Sequence, residues 1–430
     1  MVMVKVPYGR GHLEFAVPAE NLVGVFESRL SGSCPSAPGL TLVEQSLAQP
    51  ISSPGASALA RGKRTAVIIA SDHTRPVPSQ AIFPPLLQEL RRENPGLEIT
   101  ILIATGMHRA STKAELLEKF GPEIVANERI VVHNSRDSSQ MVNLGVLPSG
   151  GQLWVNRIAV ETDLLLAEGF IEPHFFAGFS GGRKSVLPGI AGETTVFANH
   201  CAEFIASPQA RAGRLDGNPM HRDMVWAARQ AGLAFIVNVV INGSKQVVRA
   251  FSGDPFAAHA AGCEFVRSQC QVKVPPADII ITGNGGYPLD QNVYQAVKGM
   301  SAAEAAAPPG AVIIMAAQCA DGHGGQAFHD LLASAASPAE LSQRLAGVPQ
   351  DQTVADQWES QVLARILCRH QVILVSQDCD PDMIRRMHLQ PASSAEEALD
   401  MAFARQGRDA RVAVIPDGVA VIAEALPAAP

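Results

Sequence analysis

The run EPHFFAGFSGGRKSVLPG, residues 172–189, gathers His174, Arg183, Lys184 and Ser185 around Gly178, Gly181 and Gly182. Glycines let backbone N–H groups approach an anion closely, and the two cations add charge. A lysine beside another cation can also be held as a free amine and act as a nucleophile. The pattern nearly matches a P-loop. Counting from Gly178, Lys184 and Ser185 fall in place, but Arg183 stands where the second glycine must be. Pro188 and Gly189 interrupt any following helix, which disfavours a Walker ATPase or a phosphotransferase. Four more stretches carry chemistry. SDHTRPVP (71–78) offers Asp72 and Arg75, a guanidinium fork suited to a carboxylate or phosphate. ATGMHR (104–109) offers His108, and FANHCAEF (197–204) places His200 in a helix. GNGGYPLDQNVYQAVKG (283–299) sets Tyr294, Gln295 and Lys298 three and four apart, where they can lean toward one site. Each has a purely structural counterpart: an Asp–Arg pair closing a turn, a turn or core histidine, a solvated helix face.

These residues need a frame. Apolar runs at 66–70, 99–106, 163–169, 235–241, 278–286, 311–318, 372–377 and 412–418 read as buried strands. Most end in Gly, Ser, Thr, Asn or Asp, and the segments between them read as helices. Residues 79–92 repeat apolar positions at Ile82, Phe83, Leu86, Leu87 and Leu90. Thr112/Glu115, Ser337/Glu340 and Ser394/Glu397 have capping-box spacing, and Asn218-Pro219 opens a helix that Gly232 ends. Asn292 caps a helix that Gly299 is expected to end. The start of the chain, around Tyr8-Gly9-Arg10-Gly11, reads as a hairpin, and residues 31–63 as irregular surface chain. Strands alternating with helices predict an α/β protein with mainly parallel sheets, whose ligands collect outside the carboxyl ends of the strands. At 430 residues two domains are expected. We expect residues 1–95 plus 272–430 to enclose an inserted domain, 96–271, with the active site in the cleft between them. Arg75, Gln295 and Lys298 then fall in one domain, and His108, His174, Lys184 and His200 in the other.

Composition narrows the classes. A net charge of −7 argues against a nucleic-acid partner. No run is apolar enough for a membrane span, and the N-terminus lacks the apolar core of a signal peptide. The seven scattered cysteines include no CxxC pair, which argues against a disulfide framework or structural zinc site and fits a cytoplasmic location.

In the order SDxTRPxP, GxHR, EPHxFAGFSGGRKxxxPG, a downstream histidine and YQAxKG, the chain resembles the nickel-pincer-nucleotide lactate racemases. The resemblance runs from about residue 66 to about residue 300, and the long glycine-rich run is its most specific part. It implies a cofactor of nickel held by a pyridinium-3,5-bisthiocarboxylic acid mononucleotide. Lys184 matches the lysine that attaches it covalently, His200 the protein ligand to nickel, and His108 and His174 the acid/base pair. Asp72, Arg75, Gln295 and Lys298 match residues lining the substrate and cofactor site, with Tyr294 and Trp358 close by; Gly178, Gly181, Gly182, Arg183 and Ser185 would wrap the cofactor. Cofactor-synthesis enzymes would be partners in maturation.

The chemistry is coherent. A hydrogen beside a carboxylate leaves reluctantly as a proton but can leave as hydride while the hydroxyl loses its proton. The flat keto acid then accepts hydride on either face, and a base is needed on each side. Arg75 and Lys298 suit the carboxylate, with Gln295 adding orientation, and a soft three-donor pincer plus one imidazole suits square-planar nickel. The bulk of Tyr294 and Trp358 favours a short 2-hydroxy acid over malate, a longer hydroxy acid or an aldonic acid. The rival class is a non-catalytic nucleotide-binding protein, which would need none of the three histidines.

Overall fold

The structure, a computed structural model, describes residues 1–427 and divides into two compact units. The N-terminal unit comprises Arg29–His200 and Gln209–Gln269. The C-terminal unit comprises Met1–Ser28, Cys201–Pro208 and the chain from Cys270 onward.

The N-terminal unit is built on a six-stranded sheet in the order Val247–Gly253, Leu233–Ile241, Leu164–Phe170, Thr65–Ser71, Glu98–Ala104, Arg129–Val132. Every pair is parallel except the first, which is antiparallel. From Thr65–Ser71 the chain winds outward in one direction through Glu98–Ala104 and Arg129–Val132. It then returns to the other side through Leu164–Phe170. The gap between Thr65–Ser71 and Leu164–Phe170 is therefore a topological switch point, where the loops at the strands' carboxyl ends diverge and leave a crevice. Apart from Glu168, both strands are apolar through their centres, as strands covered on both faces must be. The helix Ser79–Arg92 covers one face with the predicted stripe of Ile82, Phe83, Leu86, Leu87 and Leu90.

The C-terminal unit has a six-stranded, wholly parallel sheet in the order Gln390–Ala392, Gln371–Val375, Val312–Ala316, Ile279–Gly283, Val412–Ile415, Leu22–Val25. Its switch point lies between Ile279–Gly283 and Val412–Ile415. The glycine-rich loop after Ile279–Gly283 leads into the helix Val293–Ala306, capped by Asn292, which accepts from the Gln295 N–H at 2.9 Å. The N-terminal hairpin, Val2–Tyr8 with Gly11–Val17, buries Val4, Val6, Phe15 and Val17 in the same core.

The α/β class with mainly parallel sheets and all eight expected strands are found. The domain division differs from expectation. Thr65–Ser71 pairs on both sides with strands of the segment taken as an insert, so residues 29–95 belong with 96–200 and 209–269, and Arg75 shares a unit with His108, His174, Lys184 and His200. Sheet pairing joins distant segments, and linear order does not reveal which. Residues 31–63 are not irregular throughout: Gly39–Ala48 and Ala56–Ala60 are helices, the first burying Leu42, Val43 and Leu47. A short apolar face becomes helical when it has a sheet to pack on. Only Thr112/Glu115 forms a full capping box. Glu340 and Glu397 instead accept from Ala336 and Ser393, one residue before the caps. Among the described residues no helix is long and apolar enough to cross a membrane.

Gly299 does not end its helix, which runs to Ala306. It is a contact point: a Cβ there would lie 2.5 Å from the Gly283 carbonyl oxygen, and a Cβ on Gly418 would lie 2.8 Å from the Gly299 Cα. Three backbones meet where only hydrogens fit. Replacing Gly299 by alanine should cost about 1–3 kcal/mol as overpacking, measured by denaturant unfolding, despite alanine's better helix propensity.

Candidate active site

Three loops at the carboxyl edge of the N-terminal sheet carry the site. After Thr65–Ser71, Asp72 is buried and accepts from the Thr74 N–H at 3.1 Å and the Thr74 hydroxyl at 2.6 Å, a side-chain-closed turn that sets its direction. Its other oxygen meets His108 Nδ1 at 2.7 Å, His108 arriving from the loop after Glu98–Ala104. Burial works to raise the Asp72 carboxyl. The hydrogen bond and charge of His108, the charge of Arg75 and the Thr74 hydroxyl outweigh it and hold the group well below the usual carboxylate range. An ionised Asp72 accepts a hydrogen bond from His108 Nδ1–H and so leaves the lone pair on Nε2, the arrangement that makes an imidazole a base. Asp72, expected to line the substrate pocket, is thus placed to orient His108. Arg75 stands half-buried beside it, with its Nη1 near the Thr74 hydroxyl at 3.4 Å.

The third loop follows Leu164–Phe170. His174 and Gly178 pair in a two-residue ladder, and the Ala177 N–H points at His174 Nδ1 at 3.3 Å, so Nε2 is the atom presented to Lys184 Nζ, 3.3 Å away. Phe176 is the hub. Its ring lies edge-on to His174 at 4.6 Å and to His200 at 5.5 Å, with Lys184 Nζ 5.8 Å from its centre. His200, immediately after the helix Glu193–Asn199 rather than inside it, is buried and donates Nδ1–H to the Val196 carbonyl at 2.9 Å. That bond puts the lone pair on Nε2, the tautomer a metal requires, with the carbonyl as the orienting outer partner. Burial, reinforced by the charge of Lys184 and opposed by the Val196 bond, pulls His200 down to about 3. It is neutral at ordinary pH, the state in which an imidazole could hold a metal.

The loops are tied to one another. Glu168, buried in an otherwise apolar strand, accepts from both the N–H and the hydroxyl of Ser71, at 2.8 and 2.9 Å, and so fixes the start of the Asp72 loop. Gly106, with φ +52°, donates to the Gly189 carbonyl at 2.9 Å, joining the His108 loop to the end of the glycine-rich run. Three glycines of that run leave no room for a side chain. A Cβ on Gly178 would meet the Arg214 carbonyl oxygen at 2.3 Å, on Gly181 the Phe170 carbonyl oxygen at 2.8 Å, and on Gly182 the His259 ring at 2.7 Å. Close approach is to the protein's own chain. Several loop N–H groups are likewise used internally, Ser180 on Glu172 and Gly182 on Asn238. Arg183, expected at the cofactor, is instead fully buried, its guanidinium spent on loop carbonyls and a histidine. Ser185 closes the short 3-10 turn Gly182–Ser185.

The remaining predicted residues lie in the C-terminal unit. Lys298 Nζ donates to Gln295 Oε1 at 2.6 Å, one turn along the same helix, and Trp358 Nε1 donates to the Tyr294 hydroxyl at 3.0 Å. Tyr294 packs edge-on against Phe328 at 5.3 Å. Next to Trp358, Glu359 is buried with its Oε1 lacking a hydrogen-bond partner; burial lifts this carboxyl well above the ordinary range, the charge of Lys298 offsetting only part of it. Sequence reasoning missed Phe176, Glu168 and Glu359. Glu168 left a signal, a single carboxylate inside the apolar strand LLLAEGF. Phe176 left none, because an aromatic beside a motif looks like filler.

Family models for the lactate racemase N-terminal and C-terminal domains match residues 8–213 and 272–423. The chain belongs to the lactate racemase family. Membership makes it an enzyme of the isomerase class. Two proteins named lactate racemase, from Thermoanaerobacterium thermosaccharolyticum and Lactiplantibacillus plantarum, are 50% and 51% identical over 422 residues, 98% of this chain and 99% and 100% of theirs. The solved lactate racemase apoprotein from Thermoanaerobacterium thermosaccharolyticum superposes with a TM-score of 0.95, covering 98% of this chain and all of that one. A Thermotoga maritima protein at 19% identity and TM-score 0.63, covering 86% of this chain and 97% of its own, shares the fold.

His200 is one of three buried imidazoles in this unit, with His133 and His259, held below the usual histidine value, and the partly buried His221 is held down too. Burial takes His133 and His221 to about 4 and His259 well down, with Arg183 adding to the last two. A histidine lowered on folding binds fewer protons folded than unfolded, so stability must fall as pH drops from its ordinary 6.5 toward the folded value. Thermal unfolding should show this acid loss, and His133→Gln should remove up to about 1.4 kcal/mol per pH unit from its slope.

Proposed function

We propose that this enzyme interconverts D- and L-lactate, abstracting the hydroxyl proton with one of two imidazoles while the Cα hydrogen departs with its electron pair. The observation that carries the reading is the grouping of His174, Lys184 and His200 around Phe176, with the Asp72–His108 pair at neighbouring strand ends. The near full-length identity to proteins named lactate racemase supports the substrate.

His200 and Lys184 fit a nickel-pincer nucleotide: a neutral imidazole with its lone pair on Nε2, and an amine 3.3 Å from a histidine nitrogen that can accept its proton. When bound, that group would supply an electrophile able to take hydride from Cα and return it. The chain's own residues do the rest. Nε2 of His108, made basic by Asp72, takes the hydroxyl proton of one enantiomer, and His174 serves the other. The α-carbon becomes planar as pyruvate forms, and the proton returns to the carbonyl oxygen as the hydrogen returns to either face. Arg75 pairs with the carboxylate. A protein that only binds a nucleotide gains nothing from an aspartate-oriented histidine.

The test uses protein produced with the cofactor-synthesis enzymes. Incubated in D2O with either enantiomer, it should invert lactate without deuterium appearing at Cα; solvent deuterium there would sink the hydride route. His108→Ala and His174→Ala should each lower kcat by about 10²–10⁴-fold. Asp72→Asn should lower kcat with little change in KM.

A further inference from the structure

Arg183 is a fully buried cation, and among the described residues no carboxylate lies within ion-pair distance of it. Such burial is costly unless every N–H finds an acceptor. The acceptors here are the backbone of the arginine's own loop. Nη2 donates to the Ala177 carbonyl at 2.8 Å, and Nη1 to those of Phe179 at 2.8 Å and Gly181 at 3.2 Å. Nε donates to His221 Nδ1 at 3.0 Å. Of the two carbonyls these leave over, that of Gly178 accepts from the Gly213 N–H at 2.9 Å and that of Ser180 from His259 Nε2 at 2.9 Å. With its Nε2 proton committed there, His259 Nδ1 is the acceptor for the Cys263 thiol, 3.6 Å away. The 3.1 Å separation of Arg183 Nη1 from His259 Nε2 is then a close approach of two donors rather than a bond. Burial pulls the guanidinium down to about 10, which leaves it charged at neutral pH.

The bonded carbonyls lie immediately after His174 and before Lys184. We propose that Arg183 and His259 form a buried clamp on the 177–181 carbonyls that positions the Lys184 amine against His174, making both positioning residues for this site. A planar fork that reaches three carbonyls at once fixes the loop in a way a lysine's single ammonium cannot. The two ends of the clamp come from residues 76 positions apart, so the loop is locked against the helix Ala257–Cys270 rather than only against itself. The inference rests on the reading of His174 and Lys184 as site residues, but its test does not use racemisation.

Arg183→Lys, His259→Gln (which keeps a donor) and His259→Leu (which does not) would be compared with the parent protein before cofactor loading. Two readouts apply: amide hydrogen exchange across 178–184, and the pH dependence of Lys184 acylation by a small amine-reactive ester, resolved by peptide mass and referenced to the exposed Lys245. Arg183→Lys and His259→Leu should speed exchange in that loop and slow Lys184 acylation relative to Lys245, each by about tenfold or more, with far-UV circular dichroism unchanged. His259→Gln should restore most of both. Parent-like exchange and acylation in Arg183→Lys and His259→Leu would overturn the clamp, whatever the protein's activity. Should Arg183→Lys fail to fold, the contrast between His259→Gln and His259→Leu decides alone, equal behaviour of the two counting against it. Failure of lactate inversion in the parent protein with these contrasts intact would sink the proposed function and leave the clamp standing.

Discussion

The parallel pairing of Thr65–Ser71 with Glu98–Ala104 on one side and Leu164–Phe170 on the other is the constraint on which the N-terminal unit rests. Parallel strands share one carboxyl edge, so the loops bearing Asp72, His108 and His174 all emerge on the same side. The winding reverses between Thr65–Ser71 and Leu164–Phe170, which opens the room that a site needs. Glu168 then couples the two strands chemically by gripping Ser71. Without that register, an aspartate and a histidine 36 positions apart would have no reason to meet at 2.7 Å.

Electrostatics follows from what the loops bury. One carboxylate, Asp72, is kept ionised by a histidine, a hydroxyl and an arginine. The deeper imidazoles are kept neutral by loss of water, and His200 carries a backbone acceptor that selects its tautomer. Two histidines of one unit therefore have their nitrogens assigned in advance by different partners, a carboxylate for His108 and a carbonyl for His200. The first arrangement suits proton transfer and the second suits ligation.

The glycine-rich run packs as tightly on its own chain as any part of the fold. Its glycines need room for the protein's own carbonyls and for a histidine ring, and its arginine faces inward. In the proposed clamp, the lysine next to it depends on that inward side. Motif spacing carries which residue types recur, but it cannot distinguish a group that meets a ligand from one that holds the loop, because both forbid substitution.

Local signals sufficed for much of this protein. Apolar runs located all eight expected strands, Asn218, Asn292 and Thr112 announced their helices, and motif order marked the family. Strand type and capping depend on neighbours within a few residues, so they can be read along the chain. Three matters were decided only in three dimensions. Sheet order assigned residues 29–95 to the N-terminal unit, backbone crowding kept Gly299 inside its helix, and burial turned Arg183 away from solvent. Each depends on segments far apart in sequence coming within contact distance, and no periodicity within a single segment records which partner it will find.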